Sequence, residues 1–398
     1  MMELMRLFRR QGWPVTFASA AAPTVHAADL RAEGVDSAAI QVNDSSFDHW
    51  LAQLQPDLVL FDRFISEEQF GWRVARSVPH ALRVIETIDL HTLRDARHQC
   101  CKREQRVICD VDDDALFSEL ALREIAALFR ADLSILVSDA ELALLTRRFQ
   151  LPSALLHCCP FMFDHARLHR DRPGFDARRD FVTIGNFLHA PNWDAVLWLK
   201  QTIWPQIRAQ LPHAQLHIYG AYVPAKAMQL HDPARGFCIE GRAESLSAVM
   251  ECARVVLAPL RFGAGIKTKL ADAMCYGTPS VTTSVGAEGM CGGLPWGGAV
   301  DDSVDGMVAA AVRLHEMRDV WQQAQQRGFA IARQQFDRHA NGRALIGRIL
   351  KIRSQLTAHR RRHFVGMMLR HHHHRSTEFM SRWIEAKHAN DGLGDALD

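Results

Sequence analysis

The sequence has no C-x-x-C pair, no strong excess of either charge and no long apolar run. Its nine cysteines are an odd set that includes the adjacent pairs Cys100/Cys101 and Cys158/Cys159. Neither a disulfide framework nor a zinc knuckle is indicated, and a reducing cytoplasm fits. A formal net charge of +2 and a pI near 8.1 exclude a dedicated nucleic-acid binder, which needs a broad basic surface. An acidic ligand would have to meet a local patch instead. No apolar stretch approaches the roughly 18 residues required to span a bilayer. The opening MMELMRLFRRQGWPVTFASAAAPTVHA imitates a signal peptide, but its apolar region is short and broken by Pro14. Met1 to Gln11 fits an amphipathic helix and Val15 to Ser19 a strand.

What is present is enough chain for two cores. At 398 residues, 48% of them hydrophobic, the protein exceeds the roughly 250 to 300 at which a single core divides. Short apolar runs recur with helical patterns between them: Val15 to Ala18, Leu58 to Phe61, Leu82 to Ile88, Leu133 to Val137 and Ala154 to Cys158. A second series runs through Phe181 to Ile184, Gln215 to Tyr219, Phe237 to Glu240, Val255 to Pro259 and Ser280 to Thr283. This alternation predicts an α/β protein with two doubly wound, Rossmann-like domains facing a cleft. We assign 1–170 to the first domain, the polar DRPGFDARRD at Asp171 to Asp180 to a linker, 181–350 to the second domain and 351–398 to a basic tail. A doubly wound domain normally opens with a strand, whereas this chain opens with a helix leading to Val15, so the first strand of the N-terminal domain is expected to be missing.

The stretch Ala258 to Gly289, APLRFGAGIKTKLADAMCYGTPSVTTSVGAEG, combines a glycine turn, two lysines and a helical carboxylate in one βαβ-sized unit. Gly263 and Gly265 permit a tight turn with exposed amides, and the helix that follows points its N-terminus at an anion. Lys267 and Lys269 supply point charges, Asp272 lies within reach of a sugar hydroxyl, and Gly277 with Pro279 stops the helix. An ordinary αβ crossover would carry many of the same features.

Three motifs resemble the donor domain of family 4 retaining glycosyltransferases of the GT-B fold: IGNFLHAPNWDAVLWL at Ile184 to Leu199, LAPLRFGAGIKTKLADAMCYGTPSV at Leu257 to Val281, and TSVGAEG at Thr283 to Gly289. The resemblance implies a nucleotide-diphosphate sugar as co-substrate rather than a cofactor, a glycan or lipid-linked acceptor, and no metal. It places Asp272, an Asp for the usual Glu, on the donor ribose. The family's other carboxylate, at the loop, falls on Ala264. The amides of Gly263, Ala264, Gly265 and Ile266, with Lys267 and Arg261, would take the diphosphate. Gly185 and Asn186 mark the loop after the first donor-domain strand, which also holds His189 and Asn192. Asn192 and Asp194 read equally as caps for a helix starting at Trp193. Gly286, Glu288 and Gly289 lie where the family approaches the donor, with Glu288 equally a turn residue.

On the acceptor side, Asp89, His91 and Arg94 follow the strand in LRVIETIDLHTLR and are candidates for acceptor and donor-sugar contacts; a solvated loop is the alternative for His91. Asp62 and Arg63 occupy a similar strand end, where an internal ion pair is the favoured reading. Beyond Leu350 come Arg360 to Arg362, His371 to His374, and Phe364, Met367, Met368, Phe379, Trp383 and Ile384 at loose helical spacing. Two readings follow: a peripheral contact with the inner face of a membrane, or an extra helix packed on the N-terminal domain. The function expected is hexosyl transfer in the cytoplasm; the alternative is a catalytically inactive donor-binding or scaffold protein of the same fold.

Overall fold

A computed structural model describes residues 1–24, 27–163 and 172–394 of the chain, and the side chains of all of these except 372–375 and 388–394. Asp171 of the expected linker and the side chains of His372 to His374 lie outside the described residues. Every expected strand forms. The first half holds β1 (Thr16–Ser19), β2 (Asp36–Ala39), β3 (Leu58–Asp62), β4 (Leu82–Glu86), β5 (Leu133–Leu136) and β6 (Leu156–Cys158). The second holds β7 (Arg179–Ile184), β8 (Leu216–Tyr219), β9 (Phe237–Gly241), β10 (Ala253–Ala258), β11 (Ser280–Thr282) and β12 (Gly298–Val300). β2 and β12 were not anticipated: DSAA is polar and mostly exposed, and GAV is only three residues long.

The second sheet is continuous, parallel and ordered β12-β11-β10-β7-β8-β9. Both of its faces are buried, which explains the near-unbroken apolar runs. Phe181, Val255 and Leu257 point to one core with Trp204 and Ile207, while Val182, Val256 and Ala258 point to another with Leu270 and Met274. This is the two-residue alternation of a strand applied to two covered faces. Arg179 and Asp180, read as linker, belong to β7, and Arg178 before them is buried, donating to Met250 O, Tyr276 O and Thr278 Oγ1.

The first sheet is in two pieces, a parallel pair β1-β2 and a parallel set β3-β4-β5-β6. In the order of the second sheet a strand would stand between β1 and β3; among the described residues none pairs there. The helix Met2–Arg10 forms as expected and buries Leu4, Leu7 and Phe8 against Leu82, Val84 and Leu133. Leu345, Ile346 and Ile349 of the helix Arg338–Ser354 join that cluster, so the end of the chain returns to the first half. The helix Phe364–Gly394 then lies against the helices Arg63–Ser77 and Glu119–Arg130. The packed-helix reading of the tail is observed. No described helix is long and apolar enough to cross a membrane.

Candidate functional site

The order of the second sheet reverses between β10 and β7, and ligands of such sheets bind beyond the carboxyl ends of the strands at that point. The two loops leaving these strands are the glycine loop after β10 and the Gly185 loop after β7. The glycine loop leads into the helix Thr268–Tyr276, which Gly277 ends at φ +68°. Lys267 is the N-cap residue of that helix, and no side chain caps its first amides. Loop geometry thus places backbone donors and a lysine at one helix N-terminus.

Charges in the loop are already engaged. Lys267 Nζ donates to Gly265 O at 2.5 Å and Ala264 O at 3.3 Å, and Lys269 Nζ to Asn192 Oδ1 at 2.6 Å. Burial pulls Lys267 down to about 8 and Lys269 to about 7, because an enclosed ammonium lacks water. Both are poised to gain from an anion. Arg261 pairs with Asp194, its Nε 2.9 Å from Oδ2. Asp272 lies on the half-buried side of the helix with Lys269.

Capping by Asn192 and Asp194 is corrected. The helix starts at Ala190, with Pro191 in its first turn and His189 as N-cap without a side-chain cap bond. Asn192 instead donates to Asn186 O at 3.1 Å while accepting from Lys269, and Asn186 Oδ1 accepts from Leu188 N. A Cβ on Gly185 would come within 2.5 Å of the Asn192 side chain, so the glycine lets this asparagine pack under the loop.

The first half closes over the loop. Gly265 has φ +63°, and a Cβ there would meet Ile88 O at 2.7 Å and Asp89 Cβ at 2.9 Å. Ile88 is itself left-handed at φ +63°, an uncommon state for a β-branched residue. Gly289 likewise touches Ser138 of the first half, and a Cβ on Gly286 would strike Thr282 Oγ1. Ile266 and Ala264 are buried in this junction.

Several residues of the junction went unremarked in the sequence. Glu141, fully buried, accepts from Gly265 N at 2.8 Å and Leu90 N at 3.0 Å through Oε1, while Oε2 has no partner among the described residues. Glu124 accepts from the His91 and Thr92 amides that open the helix His91–Glu104. Burial pushes both carboxyls up to about 7. Arg97, 3% exposed, donates to Gly263 O at 2.8 Å and to both oxygens of Glu288 at 2.7 Å. Glu288, left open by the sequence, is thus an ion-pair partner across the cleft.

In the first half Asp89 pairs with Arg94, and His91 Nε2 lies 3.7 Å from Asp89 Oδ1. His91 is not a solvated loop residue: it begins a helix, sits edge-on to Phe64, and burial lowers it to about 4, so it is neutral. Asp62 and Arg63 form the anticipated ion pair at 3.1 Å. A cavity of about 280 Å³ between the halves is lined by His91, Arg94, His98, His189 and Phe262.

Residues 178–317 match the family described as glycosyl transferases group 1. This stretch is similar to that family. An uncharacterized 44.6 kDa protein in the cps region of Klebsiella pneumoniae is 26% identical over 165 residues, and the match spans 40% of each chain. Among solved structures, Anabaena HepE in complex with UDP and glucose aligns with a TM-score of 0.66 and 14% identity over 88% of this chain and 95% of its own. S. aureus TarM, solved with fondaparinux, alpha-GlcNAc-glycerol and UDP, aligns with a TM-score of 0.60 and 11% identity, covering 76% of this chain and 57% of its own. The overall fold is GT-B.

Proposed function

We propose that the protein transfers a hexose-type sugar from a nucleoside-diphosphate donor to a glycan, a lipid-linked glycan or a polysaccharide precursor, with retention and without metal. The observation that carries this reading is the glycine loop at the switch point of the second sheet, with Lys267 at a helix N-terminus and the opposite half closed over it. HepE and TarM, the proteins similar in fold, are named with bound UDP, which supports a nucleoside diphosphate here.

In this reading the bond between the anomeric carbon and the diphosphate oxygen breaks while a bond to an acceptor hydroxyl forms. The hydroxyl proton passes to the leaving phosphate. The loop amides from Gly263 to Ile266 and the Lys267 ammonium offset the negative charge that grows on the diphosphate, without a nucleophile from the protein. Gly265 N–H is bound to Glu141 in the closed chain, so a diphosphate would have to exchange with that carboxylate. Arg261 acts through Asp194 rather than as a free cation, Asp272 takes the ribose, and the Gly185, Asn186, Gly286 and Gly289 turns shape the donor's walls. Asp89 and neutral His91 face the reacting sugar from the acceptor side, His91 as a hydrogen-bond partner. The cytoplasm, at the inner face of the membrane, is the compartment this reading assigns.

A catalytically inactive donor-binding protein is the second reading, favoured by the divided first sheet and by Ala264 where a carboxylate would stand. Turnover of a panel of UDP-, GDP- and dTDP-sugars separates the two. Release of nucleoside diphosphate by the wild type, reduced about 100-fold in Lys267→Ala, is the expected result. Binding without turnover of any donor would select the second reading, and full activity in Lys267→Ala would remove the lysine from the mechanism.

A further inference from the structure

The helix Phe364–Gly394 has two unlike sides. Its inner side is polar and held: Arg73 Nη2 donates to Ser381 Oγ at 3.0 Å and pairs with Glu385, Arg76 pairs with Glu378 at 3.1 Å, and Arg370 donates to Arg130 O at 2.8 Å. Among the described side chains, its outer side exposes two apolar groups, one at Phe364 to Met368 and one at Phe379 to Trp383, with exposed Ser376 and Arg382 on the same side. Phe364 is 68% exposed, Phe379 66%, Trp383 61% and Met380 59%, with Val365 and Met368 also exposed. At 100° per residue these six fall within one half of the helix circumference, opposite buried Gly366 and Ser381. The usual arrangement of a packed helix is therefore inverted, with charges against the protein and aromatics toward solvent.

A large apolar face on an otherwise ordinary surface marks an interaction site, and the charge around it indicates the partner. Residues 356–398 contain seven lysines and arginines against five carboxylates, an excess equal to the whole chain's formal net charge of +2. Two of the carboxylates are engaged: Glu385 with Arg73, and Glu378 with both Arg76 and Arg382. Arg361 and Arg362 are exposed at the approach to the helix, Arg382 is exposed beside Trp383, and Lys387 lies over the Trp383 ring at 5.7 Å. Phe, Trp and Met flanked by Arg and Lys match an interfacial helix, which buries its apolar side at the acyl boundary and keeps its cations at anionic headgroups.

We propose that the outer face of the helix Phe364–Gly394 lies on an anionic membrane surface. The helix rests on the first half of the molecule, the half that takes the acceptor in the transferase reading, so a lipid-linked acceptor would reach the cleft from the same surface. Docking itself does not depend on that reading, since it requires neither donor nor turnover.

Co-sedimentation of the full chain with vesicles tests it. The chain is expected to sediment with vesicles of phosphatidylglycerol and phosphatidylcholine, to stay in solution with phosphatidylcholine alone, and to be released by high salt. The double variant Phe379→Ser, Trp383→Ser should bind the anionic vesicles at least about 10-fold more weakly, since each ring carries much of the apolar area. Both side chains are largely exposed, so the circular dichroism spectrum should not change. Three results would overturn the proposal: no sedimentation with anionic vesicles, equal binding to neutral ones, or a wild-type dimer that the double variant converts to monomer without vesicle binding by either. The last would assign the face to a second copy of the chain.

Discussion

The two sheets of this protein are built on one plan and differ in completeness. The second is a continuous six-stranded sheet whose reversal point carries the glycine loop; the first is divided into two and four strands. Yet the divided half supplies the buried charges of the junction: Glu141, Glu124 and Arg97 hold its strand-end turn and the glycine loop together. The contrast teaches that the second half brings its part of the junction by backbone geometry, whereas the first half brings its part by side chains. A backbone site is written in glycines and spacing. A side-chain clamp is written in a few charges that look like surface.

Removing the clamp should have the largest effect. Arg97→Met leaves Glu288 and the Gly263 and Cys109 carbonyls without their donor, and is expected to lower unfolding stability by about 3 kcal/mol, seen as a fall in the thermal midpoint. An unchanged midpoint would mean that the halves are held by the loop alone.

The second effect is a pH dependence. The usual carboxyl value of Glu141 is 4.5 and burial raises it to about 7 in the fold, so the folded protein binds the extra proton between these limits. Its contribution to stability is full below pH 4.5 and is lost as pH rises through 7. Glu141→Gln keeps an acceptor for Gly265 N and Leu90 N without the charge, so the variant should gain about 2 kcal/mol over the wild type at pH 8 and little at pH 5. Equal pH profiles in urea unfolding would show that this carboxyl is not charged in isolation at the junction. The smallest effect is at Ile88: Ile88→Asn, which tolerates a left-handed backbone, is expected to add about 1 kcal/mol. A loss of stability would show that the Ile88 side chain matters more than its strain.

These differences explain what the sequence revealed. All ten expected strands came from short apolar runs, because both faces of each main sheet are covered and the pattern is nearly continuous. Asp36–Ala39 is not legible because its polar residues resemble a loop, and the helix begins at Ala190 rather than Trp193 because Pro191 suits a first helical turn. The Gly263 to Lys267 loop was legible from its residues. The clamp was not. Arg97 lies among Arg94, Asp95 and Lys102, a run that reads as a solvated helix face until the second half covers it. Ser138 to Glu141, SDAE, has the spacing of a capping box, and Ser138 does cap its own helix through Ala140 N, but Glu141 reaches the glycine loop of the other half instead.

The central claim is that the glycine loop and Lys267 hold a diphosphate. Calorimetric titration of UDP, GDP and dTDP into the wild type and Lys267→Ala, without divalent metal and in buffers of different ionisation enthalpy, tests it most directly. One nucleoside diphosphate should bind, about 100-fold more weakly to the variant. Because Lys267 is lowered to about 8 in the free protein, binding to the wild type near pH 8 should take up a fraction of a proton, and binding to the variant, which keeps Lys269, should take up less. Equal affinity of the two proteins, or no binding of any nucleoside diphosphate, would contradict the assignment.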